Sequence, residues 1–204
     1  MTKRLNERLR LLFVLMLTLL TGCVTSPPRE VNNLCSIFRE KDDWHEDAVA
    51  AADKWGTEVP VLMAIMHQES KFVGDNEPDF EWFLFVPLGR ASTAYGYAQA
   101  LDTTWETYQR DTGNWGADRD DFADAVDFIG WYSAQSYRRN KIRRNDTYHL
   151  YLAYHEGHGG FERRSFRNKQ WLKNIAKRVS GKSIAYRRQY NSCKASLDSG
   201  GWFW

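Results

Sequence analysis

Residues 63–72 read MAIMHQESKF. Taken with the preceding residue, Leu62, Ile65, Met66 and Glu69 fall at i, i+3, i+4 and i+7, which puts all four on one helical face. Three of them are core residues. The fourth is an acid, and an ionised carboxylate on an apolar face is costly unless it has partners. Desolvation disfavours its charged form and raises its pKa. A carboxyl group kept protonated near neutral pH can protonate a leaving-group oxygen. Spacing alone leaves a second reading open, a helix-end glutamate that tips into solvent.

Working outward, the pattern is helical nearly throughout. Asp43-Trp44-His45-Glu46 has the form of a capping box. Trp44, Ala48, Ala51 and Trp55 follow at helical spacing, and Gly56 suits the stop. Pro60 fits the first turn of the helix that carries Glu69. Further helices are expected from Asp102, from Phe122 to Ser136, from Tyr148 to His155, and around Trp171 to Val179 with Gly181 as the stop. Glu81 to Val86, apolar and aromatic between Pro78 and Pro87, reads as a short extended segment or a loop between helices.

The first residues form a separate unit. Lys3, Arg4, Arg8 and Arg10 precede an apolar run from Leu11 to Leu20, the length of a signal peptide and too short for a stable membrane span. Leu20-Thr21-Gly22-Cys23 then resembles the lipobox of bacterial lipoproteins. That implies cleavage after Gly22 and a lipid on Cys23. Val24, where an aspartate resembles an inner-membrane retention signal, points to the outer membrane. The expected organisation is a signal peptide over 1–22, a lipidated tether over 23–34 and one domain over 35–204. Cys35 and Cys193 are the two cysteines left in that exported domain and are a disulfide candidate, with two free thiols as the alternative. The formal net charge of +2 includes the signal peptide. Residues 30–127 hold 21 acids and 7 bases, whereas residues 128–204 hold 4 acids and 16 bases. Such a molecule can aim its basic part at an anionic polymer or at lipid head groups; the plainer reading is a set of solvated helix faces.

Three short motifs occur in order: Glu69-Ser70, then Ala94-Tyr95-Gly96-Tyr97-Ala98-Gln99, then Ala153-Tyr154-His155-Glu156-Gly157. The set resembles the SLT-type lytic transglycosylases, a family with the goose-lysozyme-like fold. The family pattern is Glu-Ser, Gly-Leu-Met-Gln and Ala-Tyr-Asn-x-Gly. Here Tyr97 and Ala98 replace Leu and Met, and His155 replaces Asn. The resemblance implies a mainly α, lysozyme-like single domain. It also implies cleavage of the β-1,4 bond between N-acetylmuramic acid and N-acetylglucosamine of peptidoglycan, leaving 1,6-anhydromuramic ends. Glu69 would act first as acid and then as base, with Tyr154 hydrogen-bonded to its carboxyl. Ser70 and Gln99 would bind the muramic sugar, Gly96 would let the chain pass close to it, and Tyr95, Tyr97 and His155 would line the substrate site. Residues 71–95 look like an insertion whose aromatics either cover the cleft or pack on themselves.

Rival readings follow from other residues. A hydrolase of the goose-lysozyme type needs a second carboxylate to activate water, and Asp75, Glu77, Asp79, Asp102 and Glu156 are candidates. A wall-binding lipoprotein without activity would use Trp202, Phe203 and Trp204 as a contact patch. His155-Glu156-Gly157-His158 falls one residue short of the helical zinc motif, which needs both histidines at i and i+4. No metal, cofactor or nucleic-acid partner is expected. The expected partners are peptidoglycan strands and, through Cys23, a membrane facing the periplasm.

Overall fold

The computed structural model describes residues 26–84 and 86–199. The signal peptide, Cys23 and the aromatic residues 202–204 lie outside the described residues. The described chain is mainly helical, with the helices α1 (Leu34–Glu40), α2 (Asp42–Trp55), α3 (Val59–Ser70), α4 (Asp102–Thr112), α5 (Phe122–Asn140), α6 (Thr147–Glu162) and α7 (Gln170–Asp198). Between α3 and α4 runs an antiparallel hairpin, β1 (Phe80–Phe83) and β2 (Val86–Arg90). The stretch read as an extended segment or loop is therefore a two-stranded ribbon. Pro87 sits in an edge strand, paired with Trp82 beside a register shift, where a proline is tolerated.

Local chemistry accounts for most of the helix ends. Asn33 caps α1 by accepting from Ser36 N, and Asp121 and Asp146 cap α5 and α6 in the same way. Gly56 closes α2 at φ 73°, a left-handed conformation that a residue without Cβ adopts freely. The capping box is not formed. Helix α2 begins at Asp42, so Asp43 is already helical and its side chain caps nothing.

Helix α3 is the centre of the fold. Val61, Leu62, Met63, Ala64, Ile65 and Met66 are all fully buried. A helix apolar all round must be enclosed, and α2, α5 and α7 pack against it. Gly181 does not end the last helix. Helix α7 continues to Asp198, because Ser183, Tyr186, Tyr190 and Cys193 beyond the glycine are buried at helical spacing. Burying two tyrosines outweighs the ~1 kcal/mol that a glycine costs inside a helix. Cys193 is joined to Cys35 of α1 by a disulfide, which resolves the choice between a bond and two free thiols.

Candidate active site

Glu69 sits one residue before the end of α3. The exit from the helix holds it there. Lys71 and Phe72 both take positive φ, and Phe72 N donates to Ser70 Oγ at 3.1 Å. Phe72 is then driven into the core against Trp44 and His67. Ser70 is buried, accepts from Phe72 N and lies 3.5 Å from Met66 O. In the structure the hydroxyl faces the backbone, where it shapes the turn that follows Glu69.

Glu69 is half-buried as a residue, and protein crowds its carboxyl. Burial raises its pKa to about 7, and a hydrogen bond from Tyr151 opposes the rise by favouring the anion. Tyr151 and Tyr154 lie one turn apart on α6, so their rings share a face. Burial, and then the nearby charge of Glu69, hold both phenols above their ordinary range. The hydroxyl of Tyr154 donates to Ala98 O at 2.6 Å. The Tyr154 hydroxyl is thus committed to the backbone, and Tyr151 is the phenol that favours the Glu69 anion. Tyr154 instead ties α6 to the 95–100 turn. The three sequence motifs do not include Tyr151, although its i, i+3 relation to Tyr154 is a usable signal.

The 95–100 turn is built from backbone contacts. Tyr95 and Ala100 form an isolated bridge, Gly96 N donates to Asn76 O at 2.9 Å, and Tyr97 N donates to Arg119 O at 3.1 Å. Gln99 donates both amide hydrogens to the backbone, to Asn76 O at 2.7 Å and Gly96 O at 3.0 Å. Gly96 has φ 80°, and a Cβ there would stand 2.0 Å from Arg119 O. The close approach of Arg119's backbone therefore demands a glycine here. Replacing it with alanine adds a left-handed penalty of about 1–2 kcal/mol to an overpacking cost of about 1–3 kcal/mol. We expect Gly96→Ala to lower stability by about 2–5 kcal/mol in denaturant titration; a loss under ~1 kcal/mol would show that the turn yields.

Three further residues expected at the substrate site have the following surroundings. Tyr97 is core, 1% exposed and edge-on to Trp44 and Phe122; with no surface to offer, it lines no site. Tyr95 bonds Asp120 at 3.2 Å, with Arg119 over its ring, beside a cavity of about 630 Å³ also lined by Phe80, Thr93 and Asp102. His155 is exposed, with Nδ1 on Glu156 at 3.1 Å and its ring edge-on to Trp171.

Three of the rival carboxylates are engaged in ion pairs. Glu156 is buried, which would raise its pKa, but hydrogen bonds from Lys169, Ser165 and His155 outweigh that and hold it ionised. Glu77 pairs with Arg90, and Asp102 with Arg119 at 2.8 Å. Gly157, at φ 73° and ψ 158°, breaks α6 in a conformation essentially confined to glycine. The break turns His158 back onto Tyr132, where it stacks at 4.3 Å and meets Ser136 Oγ at 3.0 Å. The two histidines of the Glu156 stretch therefore face different surroundings.

What this geometry offers chemically is one carboxyl near neutrality, opposed by a single phenol, on the partly open end of a buried helix. No curated protein matches the chain. A family model, described as the transglycosylase SLT domain, matches residues 11–193. The chain belongs to the transglycosylase SLT domain family, and the described helical fold is that of a single lysozyme-like SLT domain.

Proposed function

We propose that the protein cleaves the β-1,4 bond between N-acetylmuramic acid and N-acetylglucosamine without water, with Glu69 as its one proton-transfer group. Family membership supports a lytic transglycosylase role on peptidoglycan. The observation that carries the finer reading is the Glu69 carboxyl, raised to about 7 by burial and contacted by Tyr151. Protonated, Glu69 gives its proton to the glycosidic oxygen as the bond to C1 breaks. The resulting carboxylate takes the proton of the C6 hydroxyl of the same muramic sugar, and O6 closes onto C1. Glu69 ends protonated, ready for the next bond. Intramolecular attack needs neither a positioned water nor a second carboxylate, which agrees with the ion pairs around Glu77, Asp102 and Glu156.

The deciding experiment is mass spectrometry of muropeptides released from sacculi. Anhydromuramic ends without added water are expected from the wild type, and none from Glu69→Gln. Reducing ends carrying a water would replace this reading with hydrolysis.

The pH profile follows from the same group. Activity needs Glu69 protonated, so kcat/KM is expected to fall as pH rises through about 7. Tyr151→Phe removes the bond that favours the anion, so the falling limb should move to higher pH, and kcat should drop about tenfold as the base step loses a charge-assisted bond. Tyr154→Phe should leave the limb in place and cost about 1 kcal/mol of stability, by leaving Ala98 O without its donor. A limb that moves with Tyr154→Phe and not with Tyr151→Phe would reverse these roles.

We place the enzyme on the outer membrane, facing the periplasm, through a lipid on Cys23. Among the described residues no helix is long and apolar enough to cross a membrane. Labelled palmitate should enter the wild type and be absent from Cys23→Ala; label in both would exclude this anchor.

A further inference from the structure

Helix α7 carries seven bases and no acid from Gln170 to Leu197. Its apolar face is buried, with Leu172, Ala176, Val179, Tyr186 and Tyr190 in the core. The opposite face is open. Lys177, Ile184 and Arg188 stand on it at i, i+7 and i+11, a stripe about 16 Å long. Gly181 and Ala185 between them are exposed too, and a Cβ added at Gly181 would meet nothing within 4 Å. Neither Lys177 nor Arg188 has an ion pair or hydrogen bond among the described residues. Ile184 is 45% exposed between these two charges.

The segment before α1 is fixed along one edge of this face. Pro28 is buried, and Arg29 N donates to Glu40 Oε2 at 3.0 Å. Val31 O accepts from the Tyr186 hydroxyl, Asn32 binds Lys182 and Gln189, and Leu34 N donates to Gln189 at 2.9 Å. Gln189 follows Arg188 directly, about 100° round the helix. Cys23 precedes Pro28 by five residues, a span of at most about 18 Å when extended. A lipid on Cys23 therefore keeps this edge of α7 within that reach of a bilayer surface.

We propose that the open face of α7 docks on the anionic phospholipid surface of the membrane that holds the protein. The proposal rests on the Cys23 anchor placed above. Lys177 and Arg188 meet lipid phosphates, and Ile184 enters the head-group layer between them. An anionic leaflet strengthens such binding about fivefold for each base near its surface. The attraction fades over about 10 Å at 0.1 M salt, and the short tether brings the face into that range. A lipid chain fixes one point only; the basic stripe fixes the orientation of the domain. Docked, α7 lies along the membrane. Helix α3, which packs on the buried side of α7 through His67 against Tyr186, is then turned away from the lipid and carries Glu69 with it.

The test uses the full lipidated chain with Ile184→Cys carrying an environment-sensitive dye. On vesicles of equal parts phosphatidylglycerol and phosphatidylcholine the dye should shift to the blue. On phosphatidylcholine alone, where the lipid still anchors the chain, it should stay in water. Adding Lys177→Gln and Arg188→Gln should lower the ratio of docked to undocked chains about 25-fold, two bases at about fivefold each. Both residues are exposed, so the melting temperature should not change. Raising salt from about 0.1 M to about 1 M should release the unsubstituted stripe in the same way. A dye equally wet on both vesicles would overturn the proposal, as would a blue shift that survives the two glutamines. Sedimentation with sacculi that depends on Lys177 and Arg188, without a shift on vesicles, would overturn it in favour of an anionic wall polymer. Failure to float with phosphatidylcholine vesicles would sink the Cys23 anchor, and the dye on the anionic vesicles then still decides the face.

Discussion

Glu69→Gln should lower kcat by about 10²–10⁴-fold, the range over which a positioned acid–base group acts. The amide fills nearly the same volume and carries no transferable proton. Substrate affinity should survive, because the change leaves the shape of the site intact. The same variant should be more stable than the wild type at pH 8. In the folded protein the carboxyl titrates at about 7, against 4.5 as its ordinary value. Below that ordinary value both states are protonated, and the group does not distinguish them. As pH rises toward the folded value, the unfolded chain loses its proton while the folded one keeps it, so folded stability falls. Above the folded value the full penalty applies, at most about 3 kcal/mol and less for the solvent that still reaches the group. Thermal melts at pH 4 and pH 8 check this: the two proteins should coincide at the lower pH and separate at the higher one. A Gln variant no more stable at pH 8 would mean that the carboxylate is well solvated, and the catalytic argument would lose its basis.

Cys35→Ser with Cys193→Ser should cost about 5 kcal/mol on loop-closure entropy alone, because the bond spans 158 residues. At ~2–4 °C per kcal/mol, the melting temperature should drop by about 10–20 °C. The loss concerns the site as well. Helix α1 leans on α7 through Leu34 N to Gln189 at 2.9 Å and Gln189 to Asn32 O at 3.2 Å, and α7 in turn packs on α3. Without the cross-link the support behind Glu69 loosens, so activity should fall with temperature sooner than in the wild type. Calorimetry with and without dithiothreitol gives the shift directly. A change below ~3 °C would show that the packing of α1 on α7 suffices by itself.

Much of the architecture is legible in residue spacing. The apolar face of Leu62, Ile65 and Met66 with Glu69 at its end is a local pattern, and so are Gly56 as a stop and Pro60 as a start. Errors arise where distant contacts overrule a local signal. Gly181 is a stop by its own chemistry, but the residues after it are held helical by burial of Tyr186 and Tyr190. Glu81 to Val86 is ambiguous in isolation, since a strand needs a partner, and the partner is the segment after Leu84. Tyr97 looks like a surface aromatic in a glycine-rich turn. Only Trp44 and Phe122, far away in the chain, make it core.

What the chain's own order of residues determined was the helical class, the acid at the end of a buried stripe, and the three motifs in succession. These follow from helical periodicity and residue chemistry, which act over a few neighbours. Tertiary structure alone decided that Tyr154 bonds the backbone of Ala98, that Ser70 and Gln99 bond backbone, and that Gly96 faces the backbone of Arg119. The reason is geometric: a hydrogen bond depends on tenths of an ångström between groups brought together by packing, and no local spacing encodes that separation.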